Sequence, residues 1–121
     1  MNGLETSQVY SMPGIPLNVN LTKTIVASAY RMNPDVITTV TRKREVAEPR
    51  MVCMCICMKV LRMSSTRVAV EFRKNNHATV LHAVKTVKNL YKSNREFHNR
   101  LDRIIENLPV NAKEFVFELT E

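Results

Sequence analysis

From Leu21 onward, apolar residues return every three or four positions, and that period commits most of the chain to amphipathic helices. Leu21, Ile25, Val26, Ala29 and Tyr30 mark a first helix that begins near Asn20 and ends near Met32. Asn33-Pro34-Asp35 is a restart signal: Asn caps, Pro suits a first helical turn, and Asp favours the positive end of the helix dipole. A short helix over 34–38 follows. Thr41-Arg42-Lys43-Arg44 is a polar, basic connector, and Pro49 sits where a long helix can start, so that helix is expected over about 47–61.

Ser64 and Ser65 are cap candidates for a short helix through Phe72, and Arg73-Lys74-Asn75-Asn76 makes a polar turn before the next helix. Two helices joined by such a turn form a helix-turn-helix outline. The helix after the turn carries Val80, Leu81, Val84, Val87, Lys88 and Tyr91 as one stripe. Asn76, His77, Thr79 and Lys85 gather at its start and on its other faces. A last long helix over about 94–108 carries Phe97, Leu101, Ile104, Ile105 and Leu108 and stops at Pro109. In the acidic tail Phe115, Phe117 and Leu119 alternate, which leaves two placements open, a strand or a segment lying on the core. The fold class is therefore all-α, a multi-helix bundle containing a helix-turn-helix. Its divisions are an irregular N-terminal arm at 1–19, a domain at 20–108 and the tail at 109–121.

Charge narrows the partner. With 18 Lys and Arg against 11 Asp and Glu, the 121 residues carry a formal +7. Between Arg42 and Arg95 stand 13 basic residues and three acidic ones, Glu45, Glu48 and Glu71, a local surplus of ten. Basic charge concentrated around a turn and a polar-ended helix favours a polyanion, and duplex DNA fits best. A recognition helix enters the major groove by its N-terminal residues, where the helix dipole also attracts phosphate. Asn76, His77 and Thr79 sit there, and Arg42, Lys43 and Arg44 on the connector can reach the minor groove or the backbone.

Other chemistry finds little purchase. Cys53, Cys55 and Cys57 alternate with Met54, Ile56 and Met58, but on a helix Cys55 points away from the other two and no His or carboxylate stands at zinc-ligand spacing. The thiols are expected to be core fillers, and three of them in five residues make no secreted disulfide framework. His77 and His82 stand five apart, and His98 has no partner at ligand spacing. Two Gly in the whole chain leave no room for a phosphate-cradling loop. No metal, cofactor or enzymatic activity is expected. Without an apolar run of membrane length or a signal-like N-terminus, the chain is expected in the cytoplasm, at the nucleoid, and without a membrane partner. No heptad seam calls for a dimer, so a monomer is expected, with a protein partner as the alternative to DNA.

The run Asn76-His77-Ala78-Thr79-Val80-Leu81-His82-Ala83-Val84-Lys85 resembles the signature of the C-terminal DNA-binding domain of DnaA, the bacterial replication initiator, where Asp-His-Thr-Thr-Val-Leu-His-Ala is usual. Val46-Ala47-Glu48-Pro49-Arg50 matches the family's Val-Ala-Arg-Pro-Arg, and the likeness covers about residues 20–108. It implies a Trp repressor-like helix-turn-helix with an added basic loop, binding a DnaA box as a monomer. It also implies that His77 contacts the major groove, that Thr79 and Arg50 contact the DNA backbone, and that Arg42 enters the minor groove. Lys85 matches a basic position of the same helix, and His82 falls within the signature. Asn76 replaces an acceptor Asp, Ala78 replaces a Thr, Arg73 and Lys74 replace glycines, and Met58 replaces a Lys. These changes are expected to shift base preference and to add charge beside the groove.

Overall fold

The computed structural model describes residues 17–121, so most of the expected arm at 1–19 lies outside the described residues. Six α-helices follow one another: α1 (Val19–Tyr30), α2 (Arg44–Lys59), α3 (Ser65–Glu71), α4 (His77–Ser93), α5 (Arg95–Glu106) and α6 (Lys113–Thr120), with a 3-10 helix at Pro34–Thr38 between α1 and α2. Asparagine and serine caps set most of the starts. Asn18 accepts from the Leu21 amide at 2.8 Å, Asn33 from Asp35 at 2.8 Å, Ser64 from Arg67 at 3.1 Å and Asn94 from Phe97 at 2.9 Å.

The centre of the bundle is α2, which packs on α1, α3 and α4. Val52 to Cys57 are buried without interruption, because a helix with neighbours on several sides has no solvent face to fill with polar residues. All three thiols lie in this core. Burial pushes Cys55 and Cys57 up to about 12 and Cys53 well above the usual thiol range, which keeps them protonated and unreactive near neutrality. The helix starts at Arg44, earlier than Pro49 suggests, and so holds Pro49 inside it. There, in the second turn, the proline forfeits one hydrogen bond to the carbonyl of Glu45 and crowds that oxygen.

Two polar clusters tie the outer helices on. The Tyr30 hydroxyl donates to Glu48 Oε2 at 2.7 Å, and Arg100 lies 4.8 Å from the Tyr30 ring and 3.5 Å from the same carboxylate oxygen, joining α1, α2 and α5. Tyr91 donates to Asp102 Oδ1 at 2.6 Å, and the His98 ring, stacked on Tyr91 at 3.9 Å, places Nε2 3.1 Å from Asp102 Oδ2. His98, expected to have no partner at ligand spacing, thus has a carboxylate four residues on, one turn along α5.

The tail is helical. Phe115 and Leu119, four residues apart, are buried in the common core, while Phe117 between them is 66% exposed. Alternation every second residue and pairing every fourth coincide over so short a run, and packing selects the second. The acidic tail is thereby joined to the bundle, with an Arg62–Glu114 ion pair at 3.1 Å on its surface. Among the described residues no helix is long and apolar enough to cross a membrane.

Candidate nucleic-acid interface

The turn between α3 and α4 is built by its backbone. At the end of α3 the Lys74 amide donates to Ala69 O at 2.8 Å, with Arg73 in the left-handed region at φ 57°. Helices that close in this way usually place glycine at the left-handed position. Phe72, 1% exposed, pins the turn to the core. Asn76 then takes extended geometry and caps α4, its Oδ1 accepting from the Ala78 amide at 2.8 Å. The cap engages the Asn76 amide oxygen, while the exposed residue keeps its NH2 as a donor.

Along α4 the buried residues are Val80, Ala83, Val87 and Tyr91, a narrower stripe than the apolar letters suggest. Leu81, expected in that stripe, is 44% exposed, because it lies about 100° around the helix from Val80. Ala83, unmarked by hydrophobic size, takes the inward place. Facing away from the core are Ala78, His82 and Lys85, flanked by His77 and Leu81 on one side and Thr79 on the other, all exposed. His82 Nε2 stands 3.5 Å from Thr86 Oγ1.

The connector before α2 supplies the second half. Arg42 and Lys43 are exposed, and Arg44 is exposed at the first position of α2. Arg50 is turned inward. Its residue is 4% exposed, with Nε donating to Ile37 O at 2.7 Å, Nη2 to Thr39 O at 2.7 Å and Nη1 to Thr41 O at 3.0 Å. The expected contact of Arg50 with the DNA backbone does not fit this placement, since α2 carries the side chain under the connector rather than out of it. Its sequence signal was a bare position in a motif; the carbonyl partners become visible only in three dimensions.

Arg50 and Arg42 lie near enough to Lys74 for their charges to act on it. Burial, followed by repulsion from Arg50 and Arg42, holds Lys74 below the usual lysine range, while burial alone lowers Arg50. Charges from two separate segments therefore press on one another beside the start of α4. None of Arg42, Lys43, Arg44, Arg73, Lys74 or Lys85 forms an ion pair among the described residues. Bound phosphates would relieve this repulsion, and the sparse competition from carboxylates leaves the cations available. Among the described residues no group of three or more His, Cys, Asp or Glu is placed to hold a metal ion.

Both segments lie within the part of the chain that resembles known proteins. The profile of the bacterial DnaA protein helix-turn-helix matches residues 20–87, from α1 into α4. A chromosomal replication initiator protein DnaA from Flavobacterium psychrophilum is 28% identical over 92 residues, covering 76% of this chain and 19% of that protein. The chain thus spans about a fifth of the length of the relative it matches.

Proposed function

The chain belongs to the bacterial DnaA protein helix-turn-helix family, a DNA-binding domain, and from that premise we propose that it reads double-stranded DNA by sequence in a manner resembling DnaA-box recognition. It does so as a monomer, without ATPase chemistry of its own, and serves to regulate replication initiation or transcription. The observation that carries this reading is the set of cations left without ion pairs among the described residues in the 41–44 connector and in the 73–76 turn that leads into the polar, exposed start of α4.

Each group takes a role its surroundings permit. His77, the NH2 of Asn76 and the methyl of Ala78 face the major groove, with Leu81 beside them as an apolar contact for thymine methyls. Thr79, Lys43, Arg44, Arg73, Lys74 and Lys85 hold phosphates, His82 lies at the margin, and Arg42 enters the minor groove. The test is fluorescence-anisotropy titration against a DnaA-box duplex, a scrambled duplex and a random pool at two salt concentrations. Selective, salt-sensitive binding to the box or to an enriched variant supports the reading. Binding without preference reduces it to general DNA affinity, and no binding near physiological salt overturns it.

A second reading, a protein-interaction module on the same fold, is favoured by a different region. Between the end of α2 and α6 lies an open cleft of about 870 Å³, lined by Met58, Val60, Met63, Phe115 and the exposed Phe117 among others. Pull-down after nuclease treatment separates the two, because a protein partner survives the nuclease and a DNA-bridged one does not.

A further inference from the structure

The guanidinium of Arg50 grips the carbonyls of Ile37, Thr39 and Thr41, every second residue of the segment leading to the basic connector. Little else holds that segment. Ile37 at 0% exposure anchors one end and Val46 at 4% the other, but Val40 between the gripped carbonyls is 78% exposed and Arg42 is exposed too. Thr39 amide and hydroxyl return only to Val36 O, and the Lys43 amide reaches Thr41 Oγ1 at 3.2 Å, so these bonds stay within the segment.

We infer that Arg50 is a positioning residue for DNA recognition: it lays the 37–42 segment over α2 in one conformation, so that Val40 and Arg42 are presented to the groove before DNA arrives. This rests on the DNA-binding reading above and adds to it a role distinct from phosphate contact. Arginine suits the task because its planar fork carries five donors in fixed directions, enough to satisfy carbonyls lying around it. A lysine keeps the charge but has one compact ammonium head. Segments ordered before binding do not lose their conformational freedom during it, which is how a residue that touches no DNA can raise affinity.

Arg50→Lys and Arg42→Ala, alone and together, test this on the full chain. With Arg42 present, Arg50→Lys is expected to weaken binding to the DnaA-box duplex by about 10-fold, within the range that loss of one good base contact would cause, and to leave the salt slope unchanged because charge is kept. In the Arg42→Ala background the same substitution should cost about 2-fold or less, a coupling that general destabilisation would not produce. Amide exchange over residues 38–43 should accelerate in Arg50→Lys without DNA, while α4 stays protected. Equal losses in both backgrounds, or unchanged exchange over 38–43, overturn the inference. Absence of duplex preference in the unaltered protein would instead strike the functional reading, and the exchange result would still judge the brace. If Arg50 variants unfold, Val40→Gly against Val40→Ala probes the same segment from its exposed side. Gly should cost about 3-fold more than Ala on the box duplex, and equal cost would overturn preorganisation of the segment.

Discussion

Where α1, α2 and α5 meet, positive charge is neutralised; along the connector before α2 and the turn before α4 it is left bare. Arg100 reaches Glu48 and covers Tyr30, whose phenol burial and the Glu48 carboxylate push up beyond the usual range. Arg42, Arg73 and Lys74 meet no carboxylate among the described residues, and Lys74 is held down by burial and by its cationic neighbours. A fold optimised only for stability would spread these charges apart. In the DNA-binding reading proposed above, their retention beside a helix start leaves a surface for an anion, and the contrast can be broken experimentally from either side.

The largest expected effect lies on the bare side. Arg42→Ala or His77→Ala should weaken binding to the preferred duplex by about 10- to 100-fold, corresponding to the roughly 1–3 kcal/mol of a good base contact, with little change in thermal stability. Lys74→Ala should weaken every duplex alike and reduce the salt slope by about 0.9. Anisotropy titrations on specific and scrambled duplexes distinguish the two patterns. Equal losses on every DNA from all three would show that the base-reading groups lie elsewhere.

Alkaline pH should separate the two sides next. Burial holds the Cys55 and Cys57 thiols at about 12 against an ordinary 9.0, and burial with the Asp102 carboxylate holds Tyr91 at about 12 against 10.0. Each is raised in the folded state, so its contribution to stability is complete below the ordinary value and is lost as pH climbs toward the folded one. Stability should therefore fall from about pH 9 to pH 12, and Tyr91→Phe should flatten the part above pH 10. Lys74, shifted the other way, sheds its charge earlier than an ordinary lysine. DNA affinity should accordingly begin to drop before the far-ultraviolet circular dichroism does. Simultaneous loss would mean that the bare charges contribute nothing separate from the fold.

On the neutralised side the effect is smaller. Arg100→Ala removes a partly exposed pair and a cation–π contact, and should lower stability by about 1 kcal/mol while leaving DNA affinity intact at temperatures where the protein is folded. Calorimetry and a parallel titration measure both. A drop in affinity at full folding would tie α5 to the interface and dissolve the contrast.

How far these two sides could be read in the sequence depended on the range of the interaction. Local signals carried Asn33-Pro34, Ser64 and the Arg73–Asn76 turn into the observed elements, because a cap acts within three residues of itself. The exposed letters His77, Thr79 and Lys85 were legible as polar faces of α4 from the helical period, whereas Ala78 and His82 entered only through the resemblance. Leu81 was not, since an apolar residue at the shoulder of a helix is indistinguishable by period from one at the core. Arg50 was beyond reach: its partners lie 13, 11 and 9 residues away, and only the chain's return over α2 brings them to its side chain. The α6 helix was ambiguous because eight residues hold too few apolar positions to separate a period of two from one of 3.6.

Arg73 belongs to both ledgers at once, and changing it makes the finest test of the comparison. Its left-handed backbone disfavours any residue with a Cβ by roughly 1–2 kcal/mol, whereas glycine there would add unfolded-state freedom worth about 0.4–1 kcal/mol. The first exceeds the second, so Arg73→Gly should stabilise the fold by about 0.5–1 kcal/mol, read as a raised denaturant midpoint at constant slope. The same change removes a cation from the turn and should lower affinity for all duplexes while reducing the salt slope by about 0.9 if Arg73 meets a phosphate. Gain in stability with loss in binding would show that this position carries strain for the sake of charge. A gain in both would show that the arginine serves neither end, and that the bare surface begins at Lys74.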